Sequence, residues 1–157
     1  MTTGSDLKLL DQLLGHWITE ATHPAMPGVV VHGTADVEWL EGQKFLIVRS
    51  RTDHPDFPDA ISVIGHMDQD RADEKEEAIP EDSPMRMHYF DSRGVFRIQE
   101  TSIDNESWKW WRIVHGFSQR FTGTFKDGGN TIDGISQLRR DDVNWVDDLK
   151  ITYHRRD

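Results

Sequence analysis

From residue 16 onward the chain is a succession of short segments rich in Val, Ile, Thr, Phe, Tyr and Trp, separated by turn residues. Ten strands are expected, over residues 16–23, 29–40, 44–52, 61–67, 85–91, 95–103, 107–114, 117–125, 131–140 and 145–155. Most connectors are hairpin-sized: Glu41-Gly42-Gln43, Ser92-Arg93-Gly94, Asp104-Asn105-Glu106 and the run from Lys126 to Asn130. Links this short cannot carry helical crossovers, so each strand pairs antiparallel with its chain neighbours. An open sheet of that width leaves unpaired backbone at both margins, and closure removes both edges. A sandwich usually needs longer Greek-key returns, and the only long connections are 52–60 and 68–83. The sequence therefore predicts an all-β fold, a closed antiparallel up-and-down barrel of about ten strands.

One stretch stands apart. Ser5 and Asp6 read as a helix cap, and Leu7, Leu10, Leu13 and Leu14 give a short amphipathic helix that stops at Gly15. With 157 residues the chain is expected to form one domain, 1–157, large enough to fold without metal or disulfide. It has no cysteine, which removes thiolate metal sites and thiol nucleophiles and fits a reducing, cytoplasmic setting. No signal peptide and no membrane span are expected, since no apolar run approaches ~18 residues. The formal charge of −10 argues against a nucleic-acid partner. Much of it is local: residues 68–83, DQDRADEKEEAIPEDS, contribute −6 through eight acidic and two basic side chains, and read as a solvated, flexible loop.

Alternation within the strands carries a functional hint. In 29–40 one face holds Val29, Val31, Gly33, Ala35, Val37 and Trp39, while the other holds His32, Thr34, Asp36 and Glu38. Later strands mix polar and aromatic groups on both faces. Arg97, Gln99 and Thr101 oppose Phe96, Ile98 and Glu100, and Trp108, Trp110 and Arg112 share a face opposite Lys109, Trp111 and Ile113. Such strands suggest a lumen that is not a plain hydrocarbon core.

A short helix leading through Gly15-x-Trp17 into a first strand, followed by an antiparallel meander, resembles the lipocalin and fatty-acid-binding calycin barrels. The resemblance implies that the helix closes one end, that Trp17 packs beneath it, and that Arg155 on the last strand lies against the indole. Gly15, Trp17 and Arg155 are then structural. LLGHW, VEWLEGQKFLI, MHYFDSRGVFRI and LKITYHRR, in that order over almost the whole chain, are similar to a set of small, uncharacterised bacterial lipocalin-like proteins near the haem-binding nitrobindins. That likeness implies a haem-ligating histidine on the last strand. Asp147 or Asp148 stands in its place and His154 lies several residues further on; a carboxylate is a poor axial ligand, so no cofactor is expected.

The remaining candidates follow from residue chemistry. The eight histidines show no metal-ligand spacing, and no metal is expected. His66 and His88, in consecutive strands around the acidic stretch, are positioned to face each other across a ladder as ligand contacts or as an acid–base pair. Arg49, Arg97, Arg112 and Arg120 fall inside strands, where an inward guanidinium needs a carboxylate or an anionic ligand. By analogy with fatty-acid-binding relatives, Arg97 or Arg112 with Tyr153 would hold a carboxylate. Trp110 is the choice for lining a pocket. The leading expectation is a binding protein for a small apolar or amphipathic molecule in the lumen, with a homodimer left open. One alternative is a cofactor-independent lyase or isomerase drawing on Glu100, Tyr89, Tyr153, His66 and His88. The other is a nitrobindin-like haem protein acting on nitric oxide or peroxynitrite.

Overall fold

A computed structural model describes residues 7–66 and 85–156. A helical turn ends in a 3-10 helix, Leu10–Leu13, and ten strands follow. They are β1 (Gly15–Thr22), β2 (Val31–Trp39), β3 (Leu46–Thr52), β4 (Ala60–His66), β5 (Met85–Asp91), β6 (Phe96–Ile103), β7 (Ser107–Arg112), β8 (Ser118–Lys126), β9 (Thr131–Arg139) and β10 (Val146–Arg156). Each pairs antiparallel with its chain neighbours, and β1 pairs with β10 to close the barrel. The fold is the closed up-and-down barrel with an N-terminal helical cap that the connector lengths predict. The acidic stretch 68–83 lies outside the described residues. Among the described residues no helix is long and apolar enough to cross a membrane.

Register fixes which side chains point inward. Trp17 pairs with Ala35 and Arg155, Leu46 with Ile64, Ile64 with Met87, and Ile103 with Trp108, so these residues line the lumen at the helix end. Leu10 and Leu13 press onto them from the cap and are essentially inaccessible. Beneath the cap, Phe121 stacks on Trp110, with centroids 5.5 Å apart, and meets Trp108 edge-on at 5.3 Å. Phe121 reaches that position because Gly123 and Gly134 lie beneath it; a Cβ on Gly134 would stand 2.5 Å from the ring. This half of the barrel is filled. The cavity bounded by Leu13, Trp17, Val37, Trp108, Ile132 and Tyr153 measures about 20 Å3, room for one water.

Trp17 ties the cap to the sheet. Its Nε1–H donates to Leu13 O at 2.9 Å, and the Arg155 guanidinium lies over the indole, 4.1 Å from the ring centroid. The guanidinium donates to Leu14 O, to Gln12 O at 3.1 Å and to Gly129 O at 3.2 Å. Two of these, Gln12 O and Leu14 O, are carbonyls that the 3-10 helix leaves open at its end. Gly15, at φ +120°, leaves the room this needs, since a Cβ there would meet Arg155 Nη1 at 2.8 Å.

Replacing Arg155 with Met keeps the stem's packing but leaves those carbonyls without their donor. Arg155→Met is expected to cost about 2 kcal/mol of stability. Urea denaturation followed by circular dichroism checks this; an unchanged midpoint would mean that the cap holds without its guanidinium.

Candidate functional site

The end of the barrel away from the cap has a different lining. Inward positions on β5 to β8 carry Tyr89, Arg97, Gln99, Arg112 and Gln119, whereas β1, β2, β9 and β10 present Ala21, Val31, Leu138 and Ile151. The polar arc and the apolar arc both lie on the inward face of one closed barrel. Both belong to the fold's regular alternation, so no bulge or loop is needed to place them.

Tyr89 and Asp91 are two apart on β5, and β5 and β6 set Tyr89 against Arg97. The Tyr89 hydroxyl donates to Asp91 Oδ2 at 2.7 Å, and Arg93 in the following turn donates to the same carboxylate at 2.6 Å. Burial disfavours the charged form of Asp91, but the hydrogen bonds from Arg93 and Tyr89 outweigh it and hold the carboxyl well below the usual range. Burial, reinforced by the bond to Asp91, pushes the Tyr89 phenol up to about 12. Asp91 is therefore committed to Arg93 and Tyr89.

Arg97 and Arg112 are in the opposite situation. Both are half-buried. Arg97 Nη1 reaches Gln119 Oε1 at 3.5 Å, and its guanidinium lies 5.3 Å from the centre of the Phe117 ring. Arg112, paired with Gln119, donates to Phe117 O at 3.4 Å. Among the described residues neither arginine has a carboxylate within ion-pair distance, whereas Arg93, Lys126 and several histidines do. Gln99, beside them on β6, is 3% exposed and its Oε1 has no hydrogen-bond partner among the described residues.

Other candidates lie elsewhere. Arg49 is on the outer wall, opposite Asp36 and Ile61. Arg120 is also outside, donating to Gln137 and covering Trp145 at 4.1 Å. His66 and His88 do not face each other: register sets His66 against Met85 and His88 against Val63, on opposite faces of the wall. His66 is buried, while His88 stands outside, edge-on to Phe96 at 5.9 Å. Burial lowers the His88 pKa, helped by the Arg86 charge. Glu100 is outside too, accepting from Trp111 Nε1 at 2.8 Å. Tyr153 points inward at the filled end, edge-on to Trp17 at 6.3 Å, and burial pushes its phenol up to about 12. Asp147 accepts from Gln137, and Asp148 accepts from His23 at 2.8 Å, around an irregularity in β10. His154 is exposed. Among the described residues no group of three or more His, Asp or Glu is placed to hold a metal.

No protein-family model matches the chain, and no curated protein matches it. Solved structures do. The crystal structure of Rv2717c from M. tuberculosis superposes with a TM-score of 0.66 at 12% identity, covering 97% of this chain and 98% of that one. The S-type phycobiliprotein lyase CPES from Guillardia theta gives 0.51 at 10% identity, covering 100% and 93%. This chain shares their calycin-like closed-barrel fold.

Two measurements probe these assignments. The chain has only two tyrosines, Tyr89 and Tyr153, and both phenols are pushed up to about 12. Native protein is expected to show almost no tyrosinate absorbance up to about pH 11, whereas in denaturant both ionise near pH 10. A native midpoint near 10 for either residue would place that phenol in water. For Asp91 the folded pKa is depressed, so its contribution is present above the unfolded value of about 4 and is lost as pH falls below it. Asp91→Asn is therefore expected to destabilise at neutral pH and to approach the parent's stability in strong acid; a pH-independent difference would contradict the ion pair.

Proposed function

We propose that the barrel binds a small amphipathic anion in the half of its lumen away from the cap. The observation that carries this is the pair Arg97 and Arg112, inward and half-buried with no carboxylate partner among the described residues. A guanidinium withdrawn from water needs a counter-charge, and a carboxylate offered by a ligand meets that need with charge-assisted hydrogen bonds. The arc of Ala21, Val31, Leu138 and Ile151 suits an apolar body, and Trp110 supplies a flat surface beside Arg112. Because the cap half is filled, the ligand is short: its chain cannot run on to Trp17.

The calycin-like fold is compatible with this reading, as is the family resemblance to fatty-acid-binding barrels. The solved lyase neighbour keeps an enzymatic role in view, but the acid–base set that would serve it is dispersed. His88 and Glu100 are on the outer wall, His66 faces inward near the cap, and the Tyr89 proton is held by Asp91. Haem has no counterpart in the residues of β10 either. Asp147 and Asp148 take hydrogen bonds from Gln137 and His23, and His154 is exposed.

Octanoate is a suitable probe. Isothermal titration is expected to show binding that weakens with salt, and Arg112→Met or Arg97→Met should each reduce affinity about tenfold or more while the variants stay folded. Binding unaffected by either substitution would place the anion elsewhere.

A further inference from the structure

The two arginines account for a negative charge on the ligand, but they leave Gln99 over. Its side chain is 3% exposed on the inward face of β6, and Oε1 has no donor among the described residues. Its neighbours explain why. Met87, paired with it on β5, offers no side-chain N–H or O–H. Thr101, the next inward residue on β6, spends its hydroxyl on Lys109 O at 2.8 Å while accepting Trp108 Nε1 at 3.0 Å. Arg112 lies one step beyond the Glu100–Trp111 pair on β7, hence beside Gln99, but it donates to Phe117 O. The other amide on this arc, Gln119, has its oxygen near Arg97. Native proteins leave few buried carbonyl oxygens without a donor, because such a group loses water and gains nothing in return.

We propose that Gln99 Oε1 accepts a hydrogen bond from the ligand, so the bound molecule carries an O–H or N–H donor next to its carboxylate. The class this describes is the 2-substituted acid with a donor on the adjacent carbon, of which a medium-chain 2-hydroxy carboxylate is the simplest member. The inference rests on the lumen reading above and narrows it. Inward neighbours on one strand, such as Arg97 and Gln99, stand about 7 Å apart. That distance suits a carboxylate and one substituted carbon with a hydrogen bond at each end. The carboxylate takes the guanidinium hydrogens of Arg97 and Arg112, and the donor turns to Gln99.

The test compares octanoate with 2-hydroxyoctanoate by isothermal titration, on the parent protein and on Gln99→Met, which keeps the side chain's length. The hydroxy acid is expected to bind about tenfold more tightly to the parent. Gln99→Met should erase that preference while leaving octanoate affinity within about twofold. The ligand-free variant should also melt at a higher temperature than the parent, since the substitution removes a buried acceptor that only the ligand satisfies. Equal binding of the two acids by the parent overturns the inference and leaves the anion site standing. Absence of binding by either acid removes the lumen reading and the inference together. If Gln99→Met does not fold, the comparison on the parent alone decides.

Discussion

Closure of the first strand on the last is the constraint from which the rest of this structure follows. A ten-strand meander is a single sheet until β1 meets β10; only then does it have an inside. Ladder hydrogen bonds alone would join those strands in any register that keeps them paired. The register is singled out where Arg155 covers the Trp17 indole and reaches the carbonyls of Gln12, Leu14 and Gly129. A slip of β10 by one residue would turn Arg155 to the outside, away from the Trp17 indole. Every inward residue described above therefore takes its place relative to this contact.

The barrel that results is asymmetric along its axis. At the cap, leucines from the helical turn and the aromatic group of Trp108, Trp110 and Phe121 make an ordinary packed core, with glycines at 123 and 134 thinning the wall so that the Phe121 ring lies flat. Away from the cap, polar groups replace them, and two electrostatic arrangements sit side by side. Asp91, Arg93 and Tyr89 satisfy one another. Among the described residues Arg97 and Arg112 reach an amide and a carbonyl oxygen, and Arg97 also the Phe117 ring, which lower the cost of holding the charge without neutralising it. The first arrangement is closed on itself; the second leaves two guanidinium charges without a carboxylate among the described residues.

Connector lengths made the topology legible in the sequence, because a two- or three-residue turn allows only one way of pairing its strands. Period-two alternation made the faces of β2 legible as well. It did not settle β6, where Phe96 and Ile98 look like core residues yet are 54% and 45% exposed, while Arg97 and Gln99 point inward. Alternation separates two faces without saying which is inside; that is decided by the pairing of Tyr89 with Arg97 and of Thr101 with Trp110. The same limit applied to His66 and His88, whose spacing suggests a pair and whose register puts them on opposite sides of the wall. Arg97, Arg112 and Trp110 were legible as candidates because charge and aromatic area carry a chemical signature in a strand. Gln99 and Gln119 were not. An uncharged amide in a β segment looks like any solvent-facing residue until its burial is known.

Closure also has a consequence in time. Leu14 and Arg155, joined in the finished barrel, are 141 residues apart in the chain. At the usual pace of synthesis, roughly 5–20 residues per second, β1 leaves the ribosome on the order of ten seconds before its second partner exists. During that interval the nascent sheet has two free edges, one of them β1 itself, and the helical cap has no guanidinium to hold it. The contact that closes the sheet waits for the synthesis of Arg155, and a chain stopped before β10 would have no strand to close against β1.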